Sequence, residues 1–335
     1  MAWPTRSWPT GQAPGAALDA LVDEAFDPGG RLAPTYAVVV VQGGRLVAER
    51  YGGTEPSSRG TVPVGARSTL RSWSMAKSML HAAVGLLVGD GRLTLEAPVS
   101  VPQWPAGDPR AAITLEQLLT MRDGLEFAED YVDEGVSDVM AMLWGEGRGD
   151  VAAYAAARPL LHRPGTVFHY SSGTTNLVSG IVARLLGRGD PYRRFLDERL
   201  FGPIGMTSAT AVFDDAGTWV ASSTVYATAA DVARFGLLYL RDGVWEDRRL
   251  LPAGWVDHGR RPRSVDPDDG MVHGAHWWVV GDEFGSFWAS GYGGQSLTIC
   301  PALDAVVVRL GDTPTDRNDA LRGWRADVLA ALAGG

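Results

Sequence analysis

The segment from Ser74 to Val88 constrains the fold more than any other part of the chain. It has helical length and is apolar on nearly every side. A helix without a polar face must be buried by the rest of the protein. One residue conflicts with that burial: Lys77, which lies among Met75, Ala76, Met79, Leu80 and Val84. It is also the sole lysine of the sequence; the other 29 of the 30 Lys and Arg side chains are arginines. An ammonium taken out of water requires either a buried partner or a task.

The flanking pattern says what could bury such a helix. Ala16 to Phe26 has helical spacing. Tyr36 to Val41, the turn Gln42-Gly43-Gly44 and Arg45 to Tyr51 predict a β-hairpin. Further on, Thr114-Leu115-Glu116-Gln117 has the capping-box pattern and opens a short helix that Gly124 can close. Val139 to Trp144, Val151 to Ala157 and Ser172 to Leu186 are helical stretches, and Thr228 caps a helix running to Leu240. Then the character changes. Ala275 to Val280, Ser286 to Ser290, Gln295 to Cys300 and Ala305 to Arg309 read as short strands, followed by a helix from Asn318 to Leu332. This predicts an α+β fold: an antiparallel sheet flanked by the terminal helices and built from residues 1–91 and 221–335. A mostly helical domain is inserted at 92–220, with the active site at the interface. The N-terminal arm is expected to be loose.

Composition removes several function classes. The 335 residues carry a formal net charge of -9, and the densest basic group, Arg260, Arg261 and Arg263, reads as a solvated turn. Nucleic acid is therefore not an expected partner. The longest near-apolar run, Ala82 to Gly89, is far short of a membrane span, so no membrane partner is expected. Residues Met1 to Pro9 hold no apolar core of signal-peptide length, and Cys300, the only cysteine, allows no internal disulfide. Both fit a cytoplasmic location, with Cys300 as a buried structural thiol. His273-Gly274-Ala275-His276 is the nearest approach to a metal pair but lacks a helix and a carboxylate. No phosphate loop, GxGxxG fingerprint or Gly-x-Ser-x-Gly elbow is present. Neither a metal nor a cofactor is expected, and the oligomeric state is left open.

Ser74 and Lys77 lie three apart on the predicted helix, one turn from each other on one face. Burial lowers a lysine pKa and makes its amine available as a base, which is what a serine nucleophile requires. Tyr170, in Tyr170-Ser171-Ser172, stands at another helix start. Alone it reads as a packed aromatic; beside Ser74 and Lys77 it becomes a candidate acid or base whose pKa a nearby cation would lower. Ala289-Ser290-Gly291-Tyr292-Gly293-Gly294-Gln295 is either an ordinary glycine-rich turn or a place where substrate approaches the backbone. In the second case the backbone N–H groups of Ser74 and Tyr292 could form an oxyanion hole.

Three such elements in this order resemble the serine β-lactamase and penicillin-binding protein superfamily. The resemblance is nearest to its class C-like branch of family VIII carboxylesterases and 6-aminohexanoate-dimer hydrolases, from about Tyr36 to Leu310. Ile113 to Leu125 and Leu200 to Met206 look like further segments of that family. The resemblance implies a β-lactamase/DD-peptidase-like fold, with Ser74 as nucleophile, Lys77 as its base and Tyr170 as acid/base partner. Ser290 and Gly291 match the end of the Lys-Thr-Gly strand, and Tyr131 resembles a substrate-contacting tyrosine of the nylon-oligomer hydrolases. Two positions depart from the pattern: Ser172 replaces the Asn of Tyr-x-Asn, and Ala289 replaces the lysine of Lys-Thr-Gly. Trp73 and Trp288 are either the lining of an apolar acyl pocket or core residues.

The resulting expectation is a serine hydrolase of small esters or linear amides, working through an acyl-enzyme. Tyr131, Ser172, Ser290 and Gly291 would bind the substrate. The alternatives are an acyltransferase using the same acyl-enzyme, a β-lactamase-like or D-aminopeptidase-like hydrolase, and a catalytically silent ligand-binding module.

Overall fold

Strand β1 (Thr35–Gln42) reads Thr-Tyr-Ala-Val-Val-Val-Val-Gln and is buried along almost its whole length. Its β-branched residues alternate between two cores. Ala37, Val39 and Val41 face one, Val38 and Val40 the other, as the period of two of a strand dictates. The strand therefore runs through the middle of a layered structure. The computed structural model describes residues 3–12, 15–57, 60–131, 135 and 137–334.

Among these residues β1 belongs to an eight-stranded sheet. The other strands are β2 (Arg45–Tyr51), β3 (Ser264–Val265), β4 (Val272–His273), β5 (Trp278–Val279), β6 (Phe287–Gly291), β7 (Gln295–Cys300) and β8 (Ala305–Gly311). Their order across the sheet is β3-β4-β5-β6-β7-β8-β1-β2, and every pairing is antiparallel. The longer helices are α1 (Ala16–Ala25), α2 (Met75–Gly89), α3 (Ser172–Leu186), α4 (Ala229–Leu240) and α5 (Asn318–Ala333). The terminal helices cover one face of the sheet. Leu18 and Val22 of α1 and Trp324, Val328 and Leu329 of α5 close over Val38, Val40, Val307 and Cys300.

Helices α2 and α4 cover the other face. Gly236 lets α4 approach closely, because a Cβ there would lie 2.6 Å from Val306 Cγ1. Within residues 92–220 the named elements among the described residues are helices and one short strand, Thr210–Ala211, which joins Val225–Ala227 and Leu70–Arg71 in a small antiparallel sheet beside the start of α2.

Four expectations need correction. The strand expected over Ala275 to Val280 shrinks to Trp278–Val279, because His276 adopts φ 56 and breaks the extended run. The capping box of Thr114 and Gln117 forms, but its helix ends at Leu119. Met121 (φ 56) takes the left-handed position, and Gly124 instead passes against the His162 carbonyl, where a Cβ would lie 2.1 Å away. The N-terminal arm is packed: Arg234 Nε donates to Pro4 O (2.8 Å), and Leu46 N to Pro9 O (2.8 Å). Arg263 is not simply solvated, since its guanidinium pairs with Glu116 at 2.8 Å.

Candidate active site

Three element ends converge on one recess: the start of α2, the start of α3 and the end of β6. Helix α2 opens at Ser74, whose side chain makes no capping hydrogen bond. At the openings of α3 and α4, by contrast, Ser171 and Thr228 accept from Thr174 N and Asp231 N. The Ser74 hydroxyl is thus left for other work. The preceding residue, Trp73, sits at φ 47, a costly conformation for a residue with a Cβ.

Lys77 is 2% exposed. Its Nζ donates to Ser74 Oγ (3.0 Å), Ser172 Oγ (3.1 Å) and Ser222 O (2.9 Å). Burial pulls its pKa down to about 8, against the opposing pull of Glu129. Each partner is held in turn. Asn176 of α3 fixes Ser222, accepting from its N–H (3.0 Å) and donating to its Oγ (3.1 Å). Ser172 N and Oγ both donate to the Glu129 carboxylate, at 2.7 and 2.6 Å. Tyr131 OH donates to the same carboxylate at 3.2 Å.

The Tyr170 ring lies 4.8 Å from Lys77 Nζ and stacks on Trp278 at 5.5 Å. Its hydroxyl interacts with Ser74. The expectation of a lowered phenol pKa fails: burial and the negative charge of Glu129 push it upward and outweigh the contact with Ser74.

Strand β6 brings Ala289 and Ser290 to the recess, which Ser74, Lys77, Ser78, Tyr170, His273, His276 and Trp278 also line. Gly291 passes so close to the segment before α2 that a Cβ would lie 2.6 Å from Ser72 O. This contact sets the next residue, Tyr292, over Trp73, with ring centroids 5.2 Å apart. Tyr131 also packs against Tyr292, tilted by 33° with ring centroids 5.4 Å apart. Trp73 is therefore at the rim of the site, whereas Trp288 is buried under Arg325, whose guanidinium lies 3.9 Å from its ring centroid.

Sequence reasoning missed Glu129, Ser222 and Asn176. Glu129 lies in an irregular segment, and its bond to Ser172 spans 43 residues, so no local spacing signals it. Among the described residues no group of three or more His, Cys, Asp or Glu could hold a metal ion. No helix there is long and apolar enough to cross a membrane.

Comparison with known proteins gives the chain relatives. The chain is 30% identical over 334 residues to the 6-aminohexanoate-dimer hydrolase of Paenarthrobacter ureafaciens, covering 93% of this chain and 82% of that one. It is 27% identical to esterase EstB of Burkholderia gladioli, over 95% of this chain and 76% of the esterase. The solved structure of a family VIII carboxylesterase superposes with a TM-score of 0.74 at 16% identity, covering 95% and 99% of the two chains. The beta-lactamase family model matches residues 18–332. On a match that runs from one terminal helix to the other, the chain belongs to the beta-lactamase family.

Proposed function

We propose that the protein is a serine hydrolase that opens small esters or linear amides through an acyl-enzyme on Ser74. The observation that carries this reading is the 3.0 Å contact between Ser74 Oγ and the buried Lys77 amine. Of the three partners of Nζ, Ser222 O can only accept. Ser172 has its hydroxyl hydrogen directed at Glu129, so it too accepts. Ser74 alone can reverse the bond. When Lys77 is neutral, its lone pair points at the Ser74 hydroxyl and takes the proton as Oγ attacks.

Tyr170, with its raised pKa, stays protonated at neutral pH. It passes a proton to the leaving group and regains one from Lys77. The N–H groups of Ser74 and Tyr292 receive the oxyanion; one such donor contributes about 10²–10³ in rate. Ser172, Ser290, Gly291 and Tyr131 border the substrate. That the relatives include both a hydrolase named for a linear amide and an esterase supports the breadth of this substrate class.

Release of p-nitrophenol from p-nitrophenyl acetate and butyrate tests the proposal. Steady turnover by the wild type that Ser74→Ala lowers by about 10³-fold or more is the expected result. Equal rates in both proteins, or none in either, would sink it.

A further inference from the structure

Two imidazoles beside Ser74 have no part in this mechanism. His273 and His276 line the same recess and are only 1% and 3% exposed. Each has an Nδ1 without a hydrogen-bond partner among the described residues. Leaving a buried polar atom unpaired is costly. Burial keeps both rings neutral: it pulls His273 down to about 3, against a hydrogen bond to the Gly274 backbone, and His276 well below its usual value, with the Lys77 charge acting in the same direction as burial.

The tautomer of His276 turns on the hydroxyl of Thr175. Its Nε2 lies 3.1 Å from Thr175 Oγ1, and that hydroxyl lies 3.4 Å from Ser171 O. A Thr175 hydroxyl that donates to Ser171 O makes Nε2–H the donor to Thr175 and leaves a lone pair on Nδ1, whereas one that donates to Nε2 puts the proton on Nδ1. The backbone is fixed as firmly as the ring. Ser78 Oγ donates to His276 O at 2.6 Å, and the residue is held at φ 56. Strained positions of this kind cluster where a side chain must be aimed. The recess has room for about one water molecule.

On the reading that Ser74 carries an acyl group, we propose that His276, with His273 beside it, holds the water that hydrolyses the acyl-enzyme. The water donates one O–H to His276 Nδ1. Its oxygen attacks the acyl carbonyl carbon while its other proton goes to the neutral Lys77 amine. The bond from carbon to Ser74 Oγ then breaks, Lys77 returns that proton to Oγ, and the carboxylic acid leaves. Neither imidazole is protonated, so both are positioning residues.

The test is the time course of p-nitrophenyl butyrate hydrolysis by His276→Leu. The first equivalent of p-nitrophenol should appear at the wild-type rate, followed by a steady state at least about tenfold slower. KM should fall together with kcat, leaving kcat/KM unchanged, because only deacylation has slowed. Added hydroxylamine should restore turnover, and His276→Gln, which keeps an acceptor, should fall between the two. A first turnover that slows in parallel with the steady state, or a steady state equal to wild type, overturns the assignment. Should His276→Leu lose its melting transition, His276→Gln and His273→Phe carry the same readout. A wild type that releases no p-nitrophenol at all strikes the acyl-enzyme reading instead.

Discussion

Lys77 and Arg309 are both cations in the protein interior, 2% and 0% exposed, and both are held by hydroxyl and carbonyl oxygens. Burial lowers both, Lys77 to about 8 and Arg309 to about 9. Their partners differ. Arg309 donates to the carbonyls of Leu32, Pro34, Gly293 and Gly294 and to the hydroxyls of Thr35 and Thr313. That set ties β8 to the segment before β1 and to the turn after β6, and it leaves no donor unused. Lys77 instead faces one hydroxyl, that of Ser74, whose hydrogen is free to move toward it. Burial alone therefore does not make a cation chemical. A partner that can give back a proton does.

The comparison breaks most readily at Lys77. Lys77→Met should lower turnover of p-nitrophenyl butyrate by about 10³-fold or more, and Lys77→Arg by as much, because a guanidinium, even when burial lowers its pKa, holds its proton at neutral pH. Both should fold. In the native state the lysine pKa is depressed, so between about 8 and the ordinary lysine range the unfolded chain holds more protons. Wild-type stability should rise with pH through that window relative to Lys77→Met, as read by urea unfolding.

Arg309→Leu should show the opposite pattern. It strands several buried carbonyls and should cost at least about 3 kcal/mol of unfolding free energy. The folded fraction should keep its turnover to within about tenfold, since no donor to the reacting atoms is removed. Loss beyond a hundredfold in folded protein would erase the distinction between brace and base.

Glu129→Gln gives the smallest effect and the finest resolution. Glu129 raises the Lys77 pKa, so its neutralisation should move the rising limb of kcat/KM against pH, which runs through about 8, downward by less than about one pH unit. An upward move would contradict the electrostatic account of the site.

What could be read from the sequence follows from range. The spacing of Ser74 and Lys77 is local and helical, so their meeting was legible, as was the hairpin of β1 and β2. The capping residues Thr114 and Thr228 were legible for the same reason. Glu129 was not, because an irregular segment carries no period and its partner lies 43 residues away. Arg309 was legible as the end of a strand but not as a buried guanidinium, since its partners come from around Leu32 and Gly293. The raised pKa of Tyr170 depends on burial and on Glu129, neither of which a nearby lysine in the sequence reveals. The left-handed turn at His276 overrode the strand propensity of its neighbours.

The solitary lysine has a further consequence for chemistry done on the protein from outside. Its side chains present a single primary amine, and that amine lies inside the recess beside Ser74. Reagents that couple to surface lysines find no exposed side chain, so immobilisation through them rests on the main-chain terminal amine alone. A small amine-directed reagent that does enter finds one side-chain address, and on the proposed mechanism loss of turnover counts the molecules modified there.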